Sequence, residues 1–303
     1  MNKYILRLII AIAILFSIDY IIGLTLKIGL DKGMGLNEHS QILIVGHSHL
    51  MMGLDKDSLE KGLECKVSKH TRSGVGIVER KMMTDMFINS KYSDSLKVVV
   101  IGVDPFLFNG ADISQNTHTL FYPWMDEPNV GEYIKEHTTF IEYYAHKMFH
   151  LSRYSDDLIK QSIRGWNNDD RNYKTTIFTD SIFEANKGKW DKPIKNNPQL
   201  MSILEQTIKD LTERKIHTIL LQTPILKLIT DLYSEDYENI VRYYKSLDAQ
   251  SDYVHFIDYS PDYNSDYQIF FDPIHLNVNG QKEITNEFIM DLKELCLSNK
   301  LCL

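Results

Sequence analysis

The sequence predicts an α/β fold, a parallel sheet covered by helices, carried behind an N-terminal membrane-spanning helix. Three observations lead there. After residue 40, short apolar runs alternate with helix-like stretches, the pattern of parallel strands joined by crossover helices. Several of those runs, VVVIGV and TILLQT among them, are nearly continuously apolar, as expected of strands buried on both faces. At the N-terminus, twelve positions between Leu8 and Leu26 are Leu, Ile or Phe, and Asp19 is the one charge.

The N-terminal run is strong enough to insert. Its apolar side chains, at roughly −0.3 to −0.6 kcal/mol each, outweigh the roughly +2.5 to +3.5 kcal/mol of one central Asp. Its length suits a span of about 20 residues. Lys3 and Arg7 precede the run, which orients the N-terminus toward the cytoplasm and the body outward; Lys27 and Lys32 beyond it weaken that bias. No small-x-small cleavage site follows, so residues 1–30 read as an uncleaved single-pass anchor in the cell membrane rather than a removed signal peptide. Asp19 is expected near the outer interface or against a membrane partner. Residues 31–40 (DKGMGLNEHS) read as a polar linker, and 41–303 as one large domain.

Within that domain the candidate strands are 42–45, 64–68, 97–103, 217–222 and 253–258. Helices are expected near 51–62, 77–88, 199–214, 237–247 and 280–297. In the last of these, Ile284, Phe288, Ile289, Leu292 and Leu295 share one face. Residues 105–198 break the alternation. They are rich in Tyr, Phe, Trp, Asn and Asp, with an expected helix through FIEYYAHKMFHLSRYSDDLIKQ and a candidate strand at 173–179. An insertion after the C-terminal end of a sheet strand lies where open α/β folds build their sites, so it reads as a cap; an extra helical layer without substrate contact is the alternative.

Two short windows carry chemistry. The first strand runs into GHSHLMMGLD, residues 46–55, and a strand–Gly–x–Ser–helix junction sets a serine hydroxyl at the C-terminal edge of the sheet. Amides opening the next helix can stabilise an anion there. Ser48 is thus a candidate nucleophile; helix N-capping is the plainer role for a serine so placed. Near the other end, FFDPIHLNVNGQKEI sets Asp272 and His275 on a loop, with two residues between them, ahead of Gly280. Serine-based acyl transfer needs an imidazole to take the hydroxyl proton and a carboxylate to fix its tautomer, and this loop supplies both.

Together these windows resemble the first and last blocks of the SGNH (GDSL-like) hydrolase superfamily, over a body of roughly residues 41–297. The resemblance implies a three-layer α/β/α, flavodoxin-like sheet and a triad of Ser48 as nucleophile, His275 as base and Asp272 as its orienting acid, with no metal or organic cofactor. It also implies an oxyanion hole. The Ser48 amide is its first member, SGVG (73–76) offers the backbone of Gly74, and Asn109 stands five residues beyond Asp104, where the family's usual Asn would fall. The anchored layout looks like the membrane-tethered SGNH proteins that modify cell-envelope polymers, the teichoic-acid D-alanylation protein DltD and polysaccharide O-acetyltransferases. That implies an acylated envelope polymer or acyl donor as substrate and a multi-spanning membrane acyltransferase as partner.

Other readings stay open. His47 and His49 flank Ser48 and, with Asp272 and His275, form a candidate metal site for a metal-dependent hydrolase. A non-catalytic, anchored glycan-binding or scaffold subunit is the third class, favoured by the altered Asn block. Arg72, Arg80 and Trp124 are candidate substrate contacts, with surface or core packing as the default. The net charge of −8 and the lack of a dense Lys/Arg cluster argue against nucleic acid. Three cysteines, Cys65, Cys296 and Cys302, are too few for a disulfide framework; Cys296 and Cys302 either close a small C-terminal loop or stay as thiols.

Overall fold

A computed structural model describes residues 3–110, 116–190 and 193–298. Cys302, and with it any pairing to Cys296, lies outside the described residues. The chain forms two compact units: Met1–Met34 with Asn116–Asp169, and Gly35–Gln115 with Asp170–Leu303.

The second unit is the expected α/β body. Five parallel strands, β1 (Ile42–Gly46), β2 (Val67–Thr71), β3 (Val98–Gly102), β4 (His217–Gln222) and β5 (Val254–Asp258), pair in the order β2-β1-β3-β4-β5. This is the flavodoxin-like order, whose direction of winding switches between β1 and β3. Alternate residues of the strands enter opposite cores. Ile42, Ile44, Val98, Val100, Ile219 and Leu221 join a cluster with Leu50, Leu59, Ile284 and Phe288. The intervening, equally buried Leu43, Val45, Val99, Ile101 and Leu220 face the other way, toward the side where the helices Ile77–Ile88 and Pro198–Glu213 pack together. A short antiparallel hairpin, β6 (Phe270–Asp272) with β7 (His275–Leu276), precedes the last helix, Val278–Leu297.

Three boundaries differ from expectation, each for a local reason. β2 starts at Val67 rather than 64, because Glu64 takes a left-handed conformation (φ 55°) to end the helix Lys56–Leu63. The single helix expected at 51–62 is two, Ser48–Gly53 and Lys56–Leu63, since the Asp55 carboxylate accepts from the Ser58 amide at 2.8 Å and starts a new helix. The helix expected through 140–161 is likewise broken into Phe140–Met148, a 3-10 turn His150–Arg153 and Asp156–Trp166, with Thr139 and Ser155 as N-caps. Residues 173–179 form no strand, although the Phe178 amide donates to the Phe270 carbonyl at 2.9 Å.

The first unit pairs the N-terminal helix with the middle of the insertion. That helix runs Lys3–Met34, so residues 31–34 of the expected linker are its last turn. It is long and apolar enough to cross a membrane, with a mean hydropathy of 2.4 over its best window and none of that window buried. Its C-terminal half is packed. A Cβ on Gly33 would lie 2.7 Å from the Gly165 Cα, so only glycines let the helix Asp156–Trp166 approach this closely. The Tyr154 hydroxyl donates to the Gly23 carbonyl at 2.7 Å and the Trp124 indole to Asp31 at 2.8 Å. Trp124 is therefore a packing residue of this unit. The Asp19 carboxylate accepts the amides of His150 (2.6 Å) and Leu151 (3.0 Å), so its partner is its own chain. The insertion expected as one cap is thus divided, with Asn116–Asp169 in this unit and the stretch from Asp170 in the sheet unit.

Candidate active site

β1 and β3 diverge at the switch point of the sheet, and the loops leaving their C-terminal ends build the site there, as open α/β sheets do. β1 ends at Gly46, a residue whose Cβ would fall 2.9 Å from Leu50 Cδ1. His47 then turns the chain in an extended conformation and is the N-cap of the helix Ser48–Gly53, its Nδ1 accepting from the His49 amide at 3.3 Å. Ser48 is consequently the first helical residue and not the cap. Its hydroxyl instead lies 2.7 Å from His275 Nε2.

The β6–β7 hairpin fixes the other partner. Asp272 Oδ1 accepts the amides of Ile274 (3.0 Å) and His275 (2.9 Å), closing an Asx turn over Pro273. Its Oδ2 is left to accept from His275 Nδ1 at 2.7 Å. With Nδ1 protonated toward Asp272, Nε2 carries the lone pair that faces the Ser48 hydroxyl. The three side chains form one hydrogen-bonded line, Ser48–His275–Asp272, brought together across 227 residues of sequence. Ser48 is buried, while His275 and Asp272 keep 17% and 16% of their side-chain surface, so the line opens on solvent at the imidazole.

Residues around the line were not all visible in the sequence. Asn277 caps the last helix through Oδ1 to the Asn279 and Gly280 amides (2.9 and 3.1 Å), and its Nδ2 donates to the Gln268 carbonyl at 2.7 Å. It ties the hairpin to the helix. Asn172 donates to the Leu276 carbonyl at 3.0 Å and the Met52 carbonyl at 3.3 Å, so a residue of the insertion bridges the two loops that carry His275 and Ser48. Lys69, in the middle of β2, is buried and donates to the Leu54 carbonyl (2.6 Å), the Met51 carbonyl (3.1 Å) and Asp170 (2.7 Å), stitching down the end of the helix that begins with Ser48. No spacing rule marks such residues; their signal is a polar side chain where the pattern demands an apolar one.

Behind Ser48 lies a second, buried polar chain. His47 Nε2 is 3.1 Å from Asp104 Oδ2, and Arg80 Nη2 is 3.4 Å from the same oxygen. Asp104 Oδ1 accepts the Phe106 amide at 2.8 Å, the Arg80 guanidinium also donates to the Gly102 carbonyl, and the Tyr244 hydroxyl donates to the Asp104 carbonyl at 3.0 Å. Arg80 is thus a core residue. Because His47 Nδ1 accepts a hydrogen bond, its proton sits on Nε2 and donates to Asp104, a neutral imidazole satisfied at both nitrogens. Burial pushes its pKa down to about 4, against the pull of Asp104. Burial by itself would raise the Asp104 carboxyl; the His47 hydrogen bond and the Arg80 guanidinium outweigh it and hold the group well below the ordinary carboxylate range. The His49 ring lies tilted against His47 with ring centroids 4.0 Å apart and edge-on to His275 at 5.1 Å. Burial, then the neighbouring imidazoles, keep it neutral.

A pH dependence follows. Below about pH 6.5 the unfolded chain takes up a proton that the folded His47 refuses until about pH 4. Stability is therefore complete above that window and falls by about 3 kcal/mol as pH drops through it. Denaturant titrations at pH 7 and pH 4 will show this loss, and His47→Gln will flatten it. An unchanged midpoint would mean that His47 is charged in the fold.

The metal reading takes a different form here. His47, His49 and Asp104, rather than Asp272 and His275, bring ligand atoms within 4.8 Å of one another. The donor set does not suit a cation: both His47 nitrogens are engaged and the Arg80 guanidinium already neutralises Asp104. Turnover is expected to be indifferent to EDTA; loss in EDTA with recovery on zinc addition would reinstate the metal.

The expected oxyanion donors fare unequally. Asn109 donates from Nδ2 to the Pro193 carbonyl (2.8 Å) and accepts the Lys195 amide at Oδ1 (2.9 Å), which fastens it to a loop of the insertion. Gly74 adopts φ +77° in the turn after β2, a backbone state that requires glycine whatever else its amide does. That turn stays by the end of β1, where the Arg72 amide donates to the Gly46 carbonyl at 3.0 Å.

No family model and no curated protein matches the chain. Among solved structures it is similar to a catalytic mutant of Axe2, an acetylxylan esterase from Geobacillus stearothermophilus, at 10% identity over 84% of this chain and 94% of that one, with a TM-score of 0.41. It is also similar to the lipase Lip_vut3 from a goat rumen metagenome, at 13% identity over 82% and 95% of the two chains and a TM-score of 0.39. A third is described as a lipolytic protein of the G-D-S-L family from Desulfitobacterium hafniense, at 8% identity over 82% and 98%, also with a TM-score of 0.39. The three are thus described as an esterase, a lipase and a lipolytic protein.

Proposed function

We propose that the chain is a membrane-anchored serine esterase or acyltransferase, exposed outside the cell membrane, that acts on O-acyl groups of a cell-envelope polymer. The unbroken hydrogen-bonded line from Ser48 through His275 to Asp272 is the observation that carries the reading. His275 Nε2 takes the Ser48 proton as the hydroxyl oxygen attacks an ester or thioester carbonyl. The Ser48 amide and the Gly74 backbone stabilise the oxyanion, and Asp272 stabilises the imidazolium. The C–O or C–S bond of the donor breaks, His275 returns the proton to the leaving group, and an acyl-enzyme remains. A sugar hydroxyl or water, deprotonated by His275, then releases the acyl group.

Anchoring is supported by the packing of the N-terminal helix. Gly29 and Gly33 of that helix meet the helix Asp156–Trp166 at backbone distance, and removal of residues 1–30 as a leader would strip this unit of its partner. An acylated polymer as substrate and a multi-spanning membrane acyltransferase as partner accord with an anchored serine site, and belong to the proposal.

The test is intact-mass spectrometry of the full chain in detergent after exposure to a fluorophosphonate. One adduct, mapped to Ser48, is expected. An adduct on another residue, or none in a preparation that retains its secondary structure, would count against an activated Ser48.

A further inference from the structure

We propose that the apolar face of the helix Phe140–Met148, together with Phe149 and Leu151, is embedded in the outer leaflet of the lipid bilayer beside the N-terminal helix. The unit would then hold the membrane by a re-entrant segment as well as by a single span. This rests on the membrane-anchor reading of the N-terminal helix given above.

A span that stopped at Asp19 would run from Tyr4 to Ile18, about 22 Å at 1.5 Å per residue, short of the roughly 30 Å of hydrocarbon. The apolar surface of the helix continues past Asp19 through Ile21, Ile22 and Leu24, and the next charge is Lys27. The Trp166 indole donates to the Thr25 carbonyl at 3.2 Å, with Lys32 over its ring at 5.5 Å, the Trp–Lys pairing typical of a membrane–water boundary. Asp19 lies six residues below Thr25, about 9 Å along the axis. At that level the Asp19 carboxylate binds the His150 and Leu151 amides, and Phe16 stacks on Phe149 with centroids 5.5 Å apart. If Thr25 marks the surface, residues 149–151 are inside the leaflet.

The side chains agree with that position. Phe140, Ile141, Tyr144 and Met148 follow an i, i+1, i+4, i+8 spacing and so share one helix face, and all four are exposed, Phe140 by 75% and Ile141 by 80%. The opposite face turns inward: Glu142 accepts from the Tyr122 hydroxyl at 2.8 Å, and the His146 ring lies tilted against Tyr122 at 4.1 Å. Lys147, at the border of the apolar face, donates to the Met125 carbonyl and Asp126 at 2.8 and 2.7 Å. A water-facing helix would spread charges over its outward face; here aromatic and aliphatic groups hold that face, and the charge at its border, Lys147, is paired with Asp126. Asp19 fits the same logic, since a 3-10 turn entering lipid must have its amide groups satisfied from within. The carboxylate in the span satisfies two of them, and they in turn offset its desolvation.

The test uses the full chain in phosphatidylcholine–phosphatidylglycerol vesicles, with native cysteines replaced by Ser. Single cysteines are introduced as Ile141→Cys and Met148→Cys, with Ile12→Cys as the hydrocarbon reference and Lys209→Cys as the aqueous one, each carrying a nitroxide. Power saturation compares collisions with lipid-soluble oxygen and with an aqueous nickel chelate. The proposal expects the oxygen-to-chelate ratio at 141 and 148 to shift from the Lys209 value toward the Ile12 value. Lipid-like at 12 but water-like at 141 and 148 would overturn it and leave this face to a protein partner. Water-like at 12 as well would overturn the anchor reading beneath it.

Discussion

Ser48→Ala is expected to reduce acyl turnover by on the order of 10⁶-fold, the scale of loss when the nucleophile of a serine triad is removed, and to abolish the fluorophosphonate adduct. The same substitution should leave stability within about 0.5 kcal/mol of the parent. The second half separates nucleophile from helix cap, because a capping serine costs about 1 kcal/mol to remove. His47 holds the cap here, and the Ser48 hydroxyl has its contact in His275. Steady-state hydrolysis of an acetyl ester and a denaturant titration of the same two preparations are sufficient. Retained turnover with a lowered midpoint would return Ser48 to a structural role and place the nucleophile elsewhere.

The largest stability effect is expected from Asp104→Ala. Arg80 is 1% exposed and Asp104 is its carboxylate partner at 3.4 Å. Removing one side of a buried ion pair strands the other, typically at about 3–5 kcal/mol. The Phe106 amide and His47 Nε2 lose their acceptor in the same step. At roughly 2–4 °C per kcal/mol for a domain of this size, the melting temperature should fall by about 6–20 °C. Asp104→Asn can keep the Phe106 contact but supplies no charge for Arg80, so an intermediate loss is expected. Adding Arg80→Met to Asp104→Asn should recover part of it, since the stranded cation is then gone; the cycle tests coupling directly. A loss below about 1 kcal/mol for Asp104→Ala would mean that Arg80 finds water or another partner.

His47 and Asp104 also show where family pattern and physics part company. At the position where the SGNH resemblance leads one to expect an Asn, this chain has an acid, and the acid holds His47, which caps the helix that Ser48 begins. The departure is compensated as a group: Asp104, His47 and Arg80 make sense only together. Read one at a time, neither Arg80 nor His47 shows its partner in the sequence.

The sequence by itself determined the parallel sheet, the chain order of its strands, the apolar N-terminal helix, and the two windows that meet as Ser48, His275 and Asp272. Those features are local: period-two and continuous apolar runs, a Gly-x-Ser turn after a strand, an Asp-x-x-His turn before a helix. Only the tertiary structure decided that the insertion is shared between two units and that Asn109 is tied to residues 193–195. It also decided that Asp19 is satisfied by amides 131 and 132 residues away. Each of these is a pairing of polar groups distant in sequence. Hydrophobic periodicity says which face of an element is buried, but which donor meets which acceptor depends on how the elements dock. A lone Asp in an apolar helix, or a Lys in a buried strand, announces that a partner exists without saying where along the chain it lies.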